Sequence, residues 1–127
     1  MEDILSGAAA ILYAALAVVV ALFQIALAAG APWGHLAMGG RWTGRLPPAL
    51  RGPALVQAAL MLLMARVVLG QAEVLPMLGP GWLIWPVAAV SALAALANLA
   101  TPSQAERRLW APVALAMLAC VLVVGFG

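Results

Sequence analysis

The chain has 127 residues, of which 67% are hydrophobic and only 8% are charged. Soluble domains average about 45 to 50% apolar and about 25% charged residues, so this composition excludes an ordinary water-soluble domain. The polar residues are confined to short breaks between apolar runs, which is typical of a polytopic membrane protein. We therefore expect one integral membrane domain over residues 1–127.

The charges are few: six arginines and four acidic residues give a net charge of +2. So small a number of charges does not predict a nucleic-acid surface, and we expect no nucleic-acid partner. The single cysteine, Cys120, excludes an internal disulfide and a CxxC redox pair.

Four apolar runs reach the roughly 17 to 25 residues that a membrane span requires. They cover residues 4–29, 54–70, 83–100 and 109–126. The first run exceeds the roughly 7 to 15 residues of the apolar region of a signal peptide, and it follows the acidic residues Glu2 and Asp3 where a signal peptide has basic ones, so we expect it to be retained. The pattern predicts an all-α fold, a transmembrane bundle of four antiparallel helices.

The arginines predict the orientation of the chain. The connections between runs one and two and between runs three and four are basic, whereas the charged residues of the other polar segments are all acidic. The five arginines of the basic connections are Arg41, Arg45, Arg51, Arg107 and Arg108. The positive-inside rule places both connections in the cytoplasm and both termini outside.

The five tryptophans lie near the ends of the predicted spans, where amphipathic rings favour the level of the lipid headgroups. We expect all five to act as interfacial anchors: Trp33, Trp42, Trp82, Trp85 and Trp110.

Small residues recur every three or four positions in spans one and three. In span one this face runs from Gly7 through Ala10 and Ala17 to Gln24, and in span three it includes Ala88, Ser91 and Asn98. Small residues let helix backbones approach closely in lipid, so we expect both faces inside the bundle. The neutral polar residues of the spans, Tyr13, Gln24, Gln57, Ser91 and Asn98, are interpreted as hydrogen-bond partners between helices rather than as a solute path.

Arg66 is the one arginine inside a predicted span. A charge at the centre of a span costs about 2.5 to 3.5 kcal/mol on insertion scales, which makes such a residue a functional candidate. Arg66 lies only four residues before Gly70, however, so its side chain can also extend to the outer interface. Both interpretations, a structural role and a role in substrate or proton coupling, remain open at this point.

The break before the fourth span contains Ser103 and Glu106 at the spacing of a capping box. A helix starting there would contain Pro112 well inside it, where proline removes a hydrogen bond and clashes with the preceding turn. We therefore expect residues 104–110 to form a short interfacial turn and the span to begin near Pro112.

The basic connections could bind an anion or a lipid headgroup between them. The candidate residues are His35, Arg41, Arg45, Arg51, Arg107 and Arg108. The glycines of the first connection lack the GxxxxGK[ST] pattern of a P-loop, and a lone histidine supplies neither a metal site nor a Ser-His-Asp set. We expect no metal, no cofactor and no assignable catalytic residue.

Three motifs carry a resemblance to a known family: APWG at 31–34, GRLP at 44–47 and NLATPSQAERRLWAPV at 98–113. With these, the chain resembles a family of small four-span bacterial membrane proteins. The resemblance covers most of the chain from Gly30 onward and implies a bacterial inner-membrane location. It implies no activity, ligand or catalytic residue.

Three functions are compatible with these features. The first is a non-enzymatic structural or accessory component whose partners are the bilayer, anionic headgroups and either further copies or a larger membrane complex. The second is a small oligomeric channel or transporter with a path along Arg66, Gln57 and Asn98. The third, the least favoured, is a lipid-headgroup-modifying enzyme that uses His35 and the arginines. We lean towards a function without catalysis.

Overall fold

The computed structural model describes residues 2–127, with side chains from Asp3 onward. Met1 and the side chain of Glu2 lie outside the described part. Both belong to the domain predicted from the sequence, with Glu2 among the acidic residues that precede the first span. The described chain is all-helical, and four of its helices are long and apolar enough to cross a membrane. The predicted all-α class with four spans is confirmed, and the chain is compatible with a multi-pass membrane protein.

The four long helices are α1 (Glu2–Ala28), α2 (Pro48–Gln71), α3 (Ile84–Ala100) and α4 (Gln104–Phe126). Short 3₁₀ turns occupy Gly34–Leu36, Met38–Gly40 and Gly81–Leu83. The 17 residues of α3 give about 25 Å of helix at 1.5 Å per residue. Because the 3₁₀ turn at Gly81–Leu83 leads directly into α3, the combined length of the turn and the helix comes closer to the roughly 30 Å thickness of a hydrocarbon core.

The beginning of α4 differs from the prediction, and the expected interfacial turn over residues 104–110 is wrong. The hydroxyl of Ser103 accepts a hydrogen bond from the backbone N–H of Glu106 at 3.2 Å, so Ser103 caps a helix that continues through Pro112. Pro112 is exposed, so its ring lies on the outer surface rather than against another helix. Likewise α2 begins at Pro48, where a missing N–H is harmless in the first turn, and contains Pro53.

The helices do not pack evenly. α1 lies against both α2 and α4, and α3 packs mainly on α4, whereas contacts between α2 and α3 are sparse. The small-residue faces are buried as predicted at most of their positions. The buried residues of these faces are Ala10, Ala17, Ala21 and Gln24 on α1 and Ala88, Ser91 and Ala95 on α3.

The outer surface of the bundle is aliphatic. Large apolar side chains such as Ile4, Leu22, Leu63, Leu93 and Leu96 are exposed on all of the first three helices, and Leu115 is exposed on α4. Such a surface is stable in lipid and would aggregate in water. The buried interior contains the complementary set of small residues and methionines.

The two ends of the bundle are closed differently. At one end the connection between α1 and α2, residues 29–47, folds over the helix ends, where Leu27, Ala37, Leu46 and Ala54 form a separate apolar cluster. At the other end the rings of Trp85 and Phe126 meet edge-on, with centroids 5.1 Å apart. We call the first of these the connection end, since both basic connections meet there.

Candidate functional site: a polar cavity beneath the α1–α2 connection

The α1–α2 connection is fastened to the start of α4. Three hydrogen bonds link segments that are about 70 residues apart in the chain. The backbone N–H of Gly39 donates to Glu106 Oε2 at 2.9 Å, Ser103 Oγ donates to the His35 carbonyl at 3.0 Å, and Trp110 Nε1 donates to the Leu36 carbonyl at 2.9 Å. Residues 35–39 are thereby held as a cover across the connection end.

Glu106 organises this contact. Its side chain is only 9% exposed, and Oε2 also accepts a hydrogen bond from Thr101 Oγ1 at 3.2 Å. In an ordinary capping box the glutamate returns to the N–H of its own cap residue. Here the N–H of Ser103 instead donates to Thr101 Oγ1 at 3.3 Å, so the carboxylate is free to reach the distant Gly39.

The close approach of the cover to α4 requires glycine at position 40. Gly40 has a φ of 73°, in the left-handed region, and a Cβ there would lie 2.6 Å from Ser103 Cβ. Any side chain would therefore both strain the backbone and push the cap residue of α4 away.

Beneath the cover lies a cavity of about 410 Å³ between the four helices. Leu36, Ala37, Met38 and Gly39 of the cover line one side, and Met61 and Met117 line the interior. The cavity gathers most of the polar side chains that the spans contain. These are Tyr13, Gln24, Gln57, Ser91 and Asn98, together with Thr101 and Glu106 from the connection end.

Several polar groups in the cavity already have partners within the protein. The hydroxyls of Tyr13 and Ser91 bond to each other at 2.9 Å, and Asn98 Nδ2 donates to the Ala94 carbonyl at 2.7 Å. Gln24 is different, because its Oε1 is buried and has no hydrogen-bond partner among the described residues. Leaving a buried acceptor unpaired costs about 1 to 3 kcal/mol, so this amide is a position where a bound molecule would gain stability.

The cavity lining includes exposed residues at two places. Met38 of the cover is exposed at the connection end, and Gln57 of α2 and Ala97 of α3 are exposed on the side of the bundle. Because α2 and α3 make few contacts with each other, we infer a side mouth between them, on the aliphatic surface that lipid would cover. Away from the connection end, the apolar core that includes Val68, Ile84 and Val124 fills the bundle.

The cavity brings together three of the four predicted intramembrane polar residues, Gln24, Gln57 and Asn98, but not Arg66. Arg66 Nη2 donates to the Pro76 carbonyl at 2.7 Å, in the connection between α2 and α3, and its buried Nη1 has no partner in the part of the chain that the structure describes. The path proposed for a channel, along Arg66, Gln57 and Asn98, is therefore not assembled within one chain.

The predicted anion-binding residues are distributed over the connection end. Arg45 Nε and Arg51 Nη2 converge beside Gly30, each 3.9 Å from where a Cβ would lie, and Arg51 Nε donates to the Leu46 carbonyl at 3.1 Å. The side chains of the other four, His35, Arg41, Arg107 and Arg108, are exposed. None of the six lines the cavity.

The tryptophans divide between the two ends of the bundle. Trp33 and Trp110 both contact Phe23 near the cavity: the Trp33 ring stacks on it at 6.2 Å, and the Trp110 ring is tilted at 4.8 Å. Trp85 contacts Phe126 at the opposite end, and Trp42 and Trp82 are exposed.

Sequence reasoning missed Glu106 and Thr101 as members of the site. The Ser-x-x-Glu spacing at residues 103–106 was a signal for the cap, but it predicts a local hydrogen bond and not a contact with Gly39. In the described part of the chain, no group of three His, Cys, Asp or Glu side chains is placed to hold a metal ion.

Comparisons of the chain with protein-family models, with curated proteins and with solved structures each return no match.

Proposed function

We propose that the protein is a multi-pass component of a bacterial inner membrane that binds an amphipathic small molecule from the bilayer in the cavity between its helices. The single observation that carries this is the polar cavity with the buried, unpartnered Oε1 of Gln24 inside an otherwise apolar bundle. Ligand sites are typically concave, mostly apolar and furnished with a few convergent polar groups. The cavity has this character.

The shape of the cavity favours an amphiphile over a water-soluble molecule. Its mouth lies on the aliphatic surface between α2 and α3, and the methionines Met61 and Met117 offer an adaptable apolar wall for a chain. The polar groups Thr101 and Glu106 lie at the connection end, close to the level of the headgroups if the four helices span the membrane. A molecule would enter from the side, with its head towards the connection.

The arginines support the same setting. Positive charge is concentrated at the connection end, which the positive-inside rule places in the cytoplasm with both termini outside. Arg45 and Arg51, which converge beside Gly30, would meet anionic headgroups there, each worth about 1 kcal/mol near the surface. These contacts orient the bundle, and the cavity beneath the cover binds the ligand as part of an accessory role.

The test blocks the mouth of the cavity. Ala97→Trp places a large ring at an exposed position of α3 that lines the cavity, whereas Ala89→Trp places the same ring at an exposed position of α3 that does not. The protein is reconstituted in nanodiscs of phosphatidylethanolamine and phosphatidylglycerol, and retained molecules are counted by native mass spectrometry. We expect one discrete adduct on the unmodified chain and on the Ala89→Trp variant, and its loss in the Ala97→Trp variant.

Two results would contradict the proposal. One is an unmodified chain that retains no discrete adduct. The other is an adduct that persists equally in both tryptophan variants, since that molecule would be bound on the outer surface of the bundle.

A further inference from the structure

Two acceptor side chains of the cavity favour a ligand that donates hydrogen bonds. Gln24 Oε1 has no partner among the described residues, and both hydrogen bonds to the Glu106 side chain are made at Oε2. The hydroxyls of the lining are engaged with one another or with Glu106: those of Tyr13 and Ser91 share one hydrogen bond, and the Thr101 hydroxyl donates to Glu106.

The charge of the cavity points the same way. Glu106 is its one acidic residue, and no arginine or histidine side chain is among the residues that line it. A buried carboxylate without a cation costs free energy that a positively charged ligand would recover. The rings of Phe23 and Trp110, which lie 4.8 Å apart and also line the cavity, add faces that attract a cation.

We infer that the cavity binds an amphiphile with a primary ammonium head, which donates hydrogen bonds to Gln24 and to the Glu106 carboxylate while its apolar chain extends along Met61 and Met117. This inference rests on the proposed function and adds the class of ligand. An ethanolamine phospholipid and a free long-chain amine both carry such a head, so the experiment must separate these two sources.

The probes share one dodecyl chain and differ only in the head: dodecylammonium, dodecanol and dodecanoate. They compete in equal amounts for the full chain in phosphatidylcholine nanodiscs, and bound masses are read by native mass spectrometry. We expect dodecylammonium to exceed dodecanoate by about tenfold or more, the factor that one charge-assisted hydrogen bond supplies. Dodecanol should fall between them because it donates one hydrogen bond without charge.

Two variants assign the preference to the residues. Gln24→Leu removes the unpartnered acceptor at similar size, so it should reduce dodecylammonium binding and at the same time raise the unfolding midpoint of the empty protein. A merely structural glutamine would not give this opposite pair of effects. Gln71→Leu, the same substitution at a position of α2 that does not line the cavity, should leave the preference unchanged.

Glu106→Gln keeps an oxygen that can accept from Gly39 and Thr101 but removes the charge. It should bring dodecylammonium binding down to the level of dodecanol. Unaltered preference in both Gln24→Leu and Glu106→Gln would overturn the inference.

The source is read by repeating the competition in nanodiscs that contain phosphatidylethanolamine. A drop in bound dodecylammonium assigns the site to the ethanolamine lipid, and an unchanged amount assigns it to a free amine. If dodecanoate binds as well as dodecylammonium, the inference fails while the proposed function stands. If no probe binds and Ala97→Trp changes nothing, the proposed function fails as well.

Discussion

Gly40 is the residue on which the contact between the cover and α4 most depends. Its φ of 73° costs a residue with a Cβ about 1 to 2 kcal/mol, and the Cβ would also meet Ser103 at 2.6 Å. Gly40→Ala should therefore lower the apparent free energy of unfolding by more than the backbone cost alone, because the cap of α4 must move. The measurement is unfolding from mixed micelles by added dodecyl sulfate, followed by circular dichroism.

Two other glycines separate the contributions. Gly44 has a φ of 80° but nothing within 4 Å of a Cβ, so Gly44→Ala should show the backbone cost only. Gly52 has equally open space towards the rest of the fold but directly precedes Pro53 inside α2, where the Cβ of Gly52→Ala would meet the proline ring, so this change should not give the stabilisation that helix propensity alone would. Equal losses in Gly40→Ala and Gly44→Ala would show that the contact with Ser103 contributes nothing.

At the scale of the element, α4 carries a proline where a helix is ordinarily broken. Pro112 is the ninth residue of α4 and cannot donate to the carbonyl of Arg108. Pro112→Ala supplies that donor and should increase the free energy of unfolding by up to about 3 kcal/mol. The unfolding midpoint should rise accordingly. If α4 instead began at Pro112, the proline would occupy a first turn and its replacement would not stabilise. The same dodecyl sulfate titration measures the difference.

Pro48 is the matched control for this substitution. It is exposed and is the first residue of α2, where no intrahelical donor is missing. Pro48→Ala should leave the midpoint unchanged or slightly lower it. A rise as large as that of Pro112→Ala would show that the effect is general to exposed prolines and not specific to the interior of α4.

The number of helices could be predicted from the sequence, but the start of α4 could not. The number of spans follows from hydropathy alone, since each apolar run is close to the thickness of a bilayer. The start of α4 does not, because the capping box at Ser103 and the proline at 112 give opposing local signals. The contact of Glu106 with Gly39 decides between them, and it joins segments 67 residues apart.

The site was partly predictable for a similar reason. Gln24, Gln57 and Asn98 are conspicuous as polar residues within apolar runs, so each could be named from the sequence. Their convergence on one cavity depends on how three different helices pack together, which the periodicity of each apolar run does not encode. The role of Glu106 was missed because its partners Gly39 and Thr101 lie in the connections between the helices, and the sequence does not predict the path of these connections.

At the scale of the whole molecule, the bundle is polarised along its length. The connection end contains the cavity, the cover and five of the six arginines, and the rest of the interior is filled by a tightly buried apolar core. Because the cover lies over the cavity and outside the main apolar core, substitutions within residues 35–39 should alter ligand retention more than they alter the packing of the helices. The side of the membrane on which the connection end lies then determines where a ligand head is presented.

That side can be determined by labelling single cysteines. In a Cys120→Ala background, cysteines at the exposed positions Thr43 and Gln104 test the two basic connections, and a cysteine at the exposed Leu78 tests the connection between α2 and α3. The positive-inside rule predicts that a membrane-impermeant maleimide added to intact spheroplasts labels only the Leu78 position. The Thr43 and Gln104 positions should become reactive together once the membrane is opened. Labelling of Thr43 and Gln104 from opposite sides would contradict the four-span topology, because hydrogen bonds join those two connections at one end of the bundle.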